Sequence, residues 1–115
     1  MENINDLQNE VKKFRDERDW KQFHTPKNLA MALSVEVSEL AELFLWDDNK
    51  SSFDTAINKR EHLQEEMADI LIYLLSMADV LNIDLSNAVI DKLSKNRRKY
   101  PIEKSKGTCK KYTEL

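Results

Sequence analysis

The chain has 115 residues, 41% of them apolar, which supports one compact domain with a modest core and excludes a second independent one. One Gly, two Pro and 34% charged residues describe few tight turns and much solvated surface, a composition that favours helices over sheet. The net charge of -3 is unevenly spread: residues 92–115 hold nine Lys or Arg against two acids, and the remainder holds nine against nineteen.

In chain order, Ile4, Leu7, Val11 and Phe14 recur at spacings of three and four, which predicts an amphipathic helix over about residues 3–19. Thr25 can cap a second helix and Pro26 suits its first position, and the apolar pattern carries it to about Trp46. The polar stretch DDNKSSFDT, residues 47–55, reads as a loop, and the helical pattern resumes near Ala56. Residues 63–81 are mostly apolar and predict a long, central third helix, with Met31, Met67 and Met77 in the core. Asp84 caps a fourth helix that Pro101 ends. Residues 102–115 show no periodicity. The expectation is an all-α four-helix domain over residues 1–101 followed by a basic tail over residues 102–115.

Cys109 is the only cysteine, so neither a disulfide framework nor a cysteine zinc site is available, and a reducing, cytoplasmic setting fits. The start MENINDLQNEVKKF is polar and amphipathic, and the longest apolar run, residues 70–75, is too short for a bilayer. No signal peptide, membrane anchor or membrane partner is expected.

The acids of the two most apolar helices stand out. Residues 28–49 contain no Lys or Arg but carry Glu36, Glu39 and Glu42, and residues 61–91 repeat the pattern with Glu66 and Asp69. Glu36 with Glu39, and Glu66 with Asp69, are each three residues apart and share a helix face. If the helices pack side by side, four carboxylates converge, which is unfavourable unless cations neutralise them or some take up protons. Hard divalent cations with oxygen ligands suit such a group, and Mg²⁺ keeps sites free for water and substrate phosphates. The competing reading pairs these acids with Lys or Arg from the last helix or tail, and spacing alone leaves both open. A di-iron carboxylate bundle is disfavoured, because neither His24 nor His62 stands three residues after a glutamate.

EVSE at residues 36–39, followed by EEMAD at residues 65–69, resembles the E-x-x-E and E-x-x-D signature of the MazG-like all-α nucleoside triphosphate pyrophosphohydrolases. The stretches RDERDWKQFHTPKNLAMALSVEVSELAELFLW and EEMADILIYLLSMADVLNIDLSNAVIDKLSKNRRKYP look like the dCTP pyrophosphatase branch of that superfamily. The resemblance implies an oligomeric helical bundle, a dimer or tetramer, in which Glu36, Glu39, Glu66 and Asp69 hold Mg²⁺, with Mn²⁺ as a substitute, against the triphosphate. Water then attacks the α-phosphorus, with Glu39 the first choice and Glu65 the second to take its proton. One common form of the superfamily has a glutamate before the first E-x-x-E, and here that position is Val35.

For the substrate, Trp20 and Trp46 are aromatic platforms able to stack on a base. The resemblance places both in a nucleoside pocket and Tyr73 beside the triphosphate or sugar. His24 is a further candidate contact. Lys92, Asn96 and Tyr100 fall at four-residue steps on a face that can meet phosphates, whereas Arg97, Arg98 and Lys99 read as a solvated helix end stabilised by the helix dipole. The function expected is cytoplasmic, Mg²⁺-dependent hydrolysis of a nucleoside triphosphate, dCTP or a modified dCTP being favoured, as nucleotide-pool cleansing. The alternative is a helical nucleic-acid- or protein-binding module that uses the basic C-terminal segment, although nucleic acid is disfavoured as a partner. Apolar surface around most of the second and third helices predicts self-association, with Trp20 the likeliest contributor to a neighbour's pocket.

Overall fold

The structure, a computed structural model, describes residues 2–115, and among them every regular element is helical. These are α1 (Ile4–Glu17), a 3₁₀ turn (Lys21–Phe23), α2 (Pro26–Glu42), α3 (Asn49–Asn58), α4 (Arg60–Val80), α5 (Leu85–Lys99), α6 (Ile102–Ser105) and a second 3₁₀ turn (Tyr112–Glu114). The chain divides into a first unit ending at Ile83 and a second unit, Asp84–Leu115. No helix is long and apolar enough to cross a membrane among the described residues.

Helix starts follow the capping chemistry of the sequence. The Thr25 hydroxyl accepts from the Asn28 amide at 3.1 Å, with Pro26 at the first position of α2, and the Asp84 carboxylate accepts from the Asn87 amide at 3.1 Å. Asn3 and Asp6 bond reciprocally at the start of α1.

The expected loop at residues 47–55 is instead largely helical. Asp48 and Ser51 form a capping box, in which the Ser51 amide donates to Asp48 at 2.7 Å and the Asp48 amide donates to the Ser51 hydroxyl at 3.0 Å. The small polar residues that suggested a loop are therefore the start of α3. The second helix also ends sooner than Trp46. Its α-helical bonding stops at Glu42, and bonds three residues apart, such as Phe44 to Ala41 and Asp47 to Phe44, close a tightened turn.

With so little glycine, the chain turns out of two helices through residues that tolerate the left-handed region. Asp19 has φ 53° and Asn82 has φ 54°. At α4 the Ile83 amide bonds the Ala78 carbonyl and the Asn82 amide bonds Asp79, which is the Schellman pattern, and Trp20 with Arg15 and Asp19 with Asp16 repeat it at α1.

In the first unit α1, α2 and α3 each pack against α4, and the most buried apolar side chains are Leu29, Leu75 and Ala78. Gln8 bonds the Leu75 carbonyl at 3.2 Å and Arg15 meets Asp79, so the C-terminal turns of α1 and α4 come together. Arg15 is buried although the sequence places it among charges. Its Nη1 lies 2.6 Å from Asp79 and its Nε 2.9 Å from Asp16, while Lys12 approaches Asp79 at 3.5 Å. Burial by itself raises the Asp79 pKa, but the hydrogen bond from Arg15 and the charges of Lys12 and Arg15 outweigh it and leave the group below its ordinary value. Met31 and Met67, expected in the core, are exposed in the single chain.

The second unit holds α5, α6 and the last 3₁₀ turn. Residues 102–115 are more regular than a featureless tail: Tyr112 meets Tyr100 edge-on at 6.0 Å, and Lys99 lies 4.8 Å from the Tyr112 ring.

Asp79→Asn leaves the Arg15 charge buried with only Asp16 opposite it, and should destabilise the protein by about 2 to 3 kcal/mol in urea denaturation. Asp16→Asn, on the exposed side of the same guanidinium, should cost much less.

Candidate metal centre and adjoining cavity

α2 presents Glu36 and Glu39, and α4 presents Glu66 and Asp69, each pair on one face because three residues make nearly one turn. The packing of α2 on α4 brings the carboxylate oxygens of Glu36, Glu39 and Glu66 within 4.8 Å of one another. Asp69 stands outside that group, one turn along α4, but its charge reaches Glu36. Among the described residues of the first unit, no Lys or Arg forms an ion pair with any of the four.

The cost of this arrangement appears on Glu36. Burial first, then a proton shared with Glu66, then the charges of Glu39, Asp69 and Glu66 raise its pKa from 4.5 to about 7. Glu66 is buried, and its Oε1 lies 3.1 Å from Nε2 of His62, one turn earlier on α4. The second oxygens, Oε2 of Glu36 and Oε2 of Glu66, are buried with no hydrogen-bond partner. Two orphaned carboxylate oxygens beside a third carboxylate are a donor set suited to a hard divalent cation. A cavity of about 370 Å³ opens onto this group, lined by Glu39, Glu42, Leu43, Lys59, His62 and Glu66.

A second cavity, of about 240 Å³, lies on the α1 side of α4 and includes Trp20, His24, Asp69, Tyr73, Arg15 and Ser76 in its lining. Three of the predicted substrate residues, Trp20, His24 and Tyr73, therefore meet in one place, with the acid Asp69 among them. His24 is partly buried, and its Nδ1 has no hydrogen-bond partner. Burial, and secondarily the charge of Arg15, lowers its pKa, which favours the neutral ring.

Other predicted residues stand apart from these two places. Trp46 is 93% exposed in the turn after α2. Glu65 is exposed and lines an open depression with Asn58, Lys59, Glu61 and His62, outside the group formed by Glu36, Glu39 and Glu66. Lys92, Asn96 and Tyr100 belong to the second unit, where Lys92 is exposed and Asn96 and Tyr100 are half-buried. The sequence reading missed His62 and Arg15. The four-residue spacing of His62 and Glu66 is a legible signal for the first, but nothing local marks Arg15 as buried.

Residues 31–115 match the MazG-like family. The chain is 46% identical over 114 residues to dCTP pyrophosphatase 1 of Bos taurus, covering 97% of this chain and 68% of that protein. It is 44% identical to dCTP pyrophosphatase 1 of Homo sapiens, with 97% and 67% covered. A crystal structure of a pyrophosphatase from Archaeoglobus fulgidus superimposes with a TM-score of 0.83 at 42% identity, covering 88% of this chain and 94% of that one.

The raised Glu36 pKa predicts a pH dependence for the metal-free protein. Between about 4.5 and about 7 the folded state binds a proton that the unfolded chain has lost. The stabilisation is complete below that window and fades as pH rises through 7. Melting temperature in chelator should accordingly fall from pH 5 to pH 8, and Glu36→Gln should flatten that decline.

Proposed function

The chain belongs to the MazG-like family, and on that premise we propose that it hydrolyses a deoxynucleoside triphosphate, dCTP or a modified dCTP being favoured, to the monophosphate and pyrophosphate. Its service is nucleotide-pool cleansing in the cytoplasm. The observation that carries this reading is the group of Glu36, Glu39 and Glu66, with two buried, partnerless oxygens, on the same helix pair that supplies Asp69 to an aromatic cavity.

Glu36, Glu39, Glu66 and Asp69 would hold Mg²⁺, with Mn²⁺ as a substitute. That ion, when bound, supplies polarisation of the phosphoryl oxygens and neutralisation of developing charge. The protein's part is to place the α-phosphorus beside a carboxylate that can take a proton. Glu39 fits best, since it stands in the acid group and is exposed enough to meet a water. Glu65 remains the second choice. Water adds to the α-phosphorus, the bond to the bridging oxygen breaks, and pyrophosphate leaves.

Trp20 would offer its ring to the base, Tyr73 would lie beside the triphosphate or sugar, and His24 would be a further substrate contact in the same cavity. Asp69 joins this cavity to the acid group. Lys92, Asn96 and Tyr100 are assigned to the phosphates, and Trp46 to the nucleoside pocket of an assembled oligomer. The catalytic domain spans residues 1–101, with residues 102–115 an appended basic segment. Self-association to a dimer or tetramer is supported by apolar side chains left exposed on α2 and α4, among them Met31, Val35, Val37, Met67 and Leu74.

A screen of the common nucleoside triphosphates with Mg²⁺, identifying both products, tests the function. Release of pyrophosphate and a monophosphate only when a divalent cation is present is expected. Salt-sensitive binding to DNA with no pyrophosphate released would favour the nucleic-acid-binding alternative instead. Glu36→Gln, Glu39→Gln, Glu66→Gln and Asp69→Asn should each lower turnover by about 100-fold or more while preserving helical circular dichroism. Trp20→Ala should raise KM about 10-fold through lost stacking. Light scattering with in-line chromatography at low micromolar concentration should show at least a dimer, and a fully active monomer would overturn the assembly.

A further inference from the structure

The first turns of α4 hold a histidine that the proposed reaction does not use. His62 precedes Glu66 by one helical turn, so the two side chains project together. Nε2 of His62 lies 3.1 Å from Oε1 of Glu66. In the tautomer that carries its hydrogen on Nε2, the ring donates and the carboxylate oxygen accepts. The burial of the pair is lopsided: the Glu66 side chain is 10% exposed and that of His62 57%. His62 therefore closes over Glu66 from the solvent side, along the cavity that they share with Glu39, Glu42 and Lys59. The other oxygen, Oε2, is buried without a partner. His62 holds one oxygen of Glu66, and the other has no partner besides the proton that Glu36 shares with this carboxylate.

We propose that His62 is a positioning residue that fixes the Glu66 carboxylate, so that Glu66 meets a divalent cation through Oε2 alone. The inference rests on the reading of the acid group as a metal centre. Chelation through both oxygens would require breaking the bond from His62. With that bond intact, Glu66 would offer one oxygen of set direction beside Glu36, Glu39 and Asp69. Partners that orient a ligand in this way are worth about 10- to 100-fold in metal affinity. Lys59 lines the same cavity but makes no ion pair with Glu66.

Calorimetric titration of Mn²⁺ into metal-free protein separates the possibilities without reference to turnover. His62→Leu should weaken Mn²⁺ binding about 10-fold or more. His62→Gln, whose amide N–H reaches the same oxygen, should restore affinity to within about 3-fold of the unaltered protein. Because His62 is largely exposed, both variants should melt normally in chelator. Unchanged affinity in His62→Leu would overturn the proposal. Equal losses in the two variants would overturn it as well, because the donated hydrogen bond would then not be what matters. If the unaltered protein shows no saturable binding, the metal centre itself is wrong and the proposal falls with it. A loss confined to His62→Leu, in a protein that binds Mn²⁺, establishes the role.

Discussion

Carboxylates within 4.8 Å of one another repel, and the contact between α2 and α4 must hold Glu36, Glu39 and Glu66 together against that repulsion. No Lys or Arg of the first unit relieves it. The chain instead spreads the load: Glu36 keeps a proton to about neutral pH, and His62 hydrogen-bonds Glu66. α4 bears most of the demand, because α1, α2 and α3 all pack upon it. Leu75 and Ala78, buried further along the same helix, anchor it in the core.

Glu66, Asp69, Tyr73 and Ser76 follow one another along α4 at spacings of three, four and three. That is the period of a single helical stripe. Glu66 belongs to the acid group, while Asp69, Tyr73 and Ser76 line the aromatic cavity. One helix face consequently measures out the distance between the place where phosphates would sit and the place where a nucleoside would sit. Straightness of α4 is then a property of the site as well as of the fold.

Features encoded by spacing along one helix were legible before the structure. The caps at Thr25 and Asp84 depend on neighbours three residues away, and each is where the pattern puts it, whereas of the paired acids only Glu36, Glu39 and Glu66 come together. The α3 start was misread because Asp48, Ser51 and Ser52 serve loops and caps alike, and only the reciprocal bonds distinguish them. Phe53 and Ile57, at helical spacing but exposed, added no buried stripe to decide the matter. Arg15 was illegible for a different reason. Its burial depends on Asp79, far along the chain, and on α1 lying against α4, neither of which has a local sign. Met31 and Met67 were assigned to the core by their hydrophobicity, but a single chain leaves them uncovered.

The meeting of the last turns of α1 and α4 has an electrostatic consequence. Two carboxyl ends stand close together, and each carries a partial negative charge from its unsatisfied carbonyls. Asp79, in the last turn of α4, adds a full negative charge to that corner. Arg15 lies in the last turn of α1 and Lys12 one turn before it. The guanidinium therefore answers two macrodipoles as well as the Asp79 carboxylate, and its position between the helix ends makes their meeting tolerable. A neutral side chain of the same length could fill the space but would leave that corner with an excess of negative potential, which ties the orientation of α1, and with it the placement of Trp20, to a single buried cation.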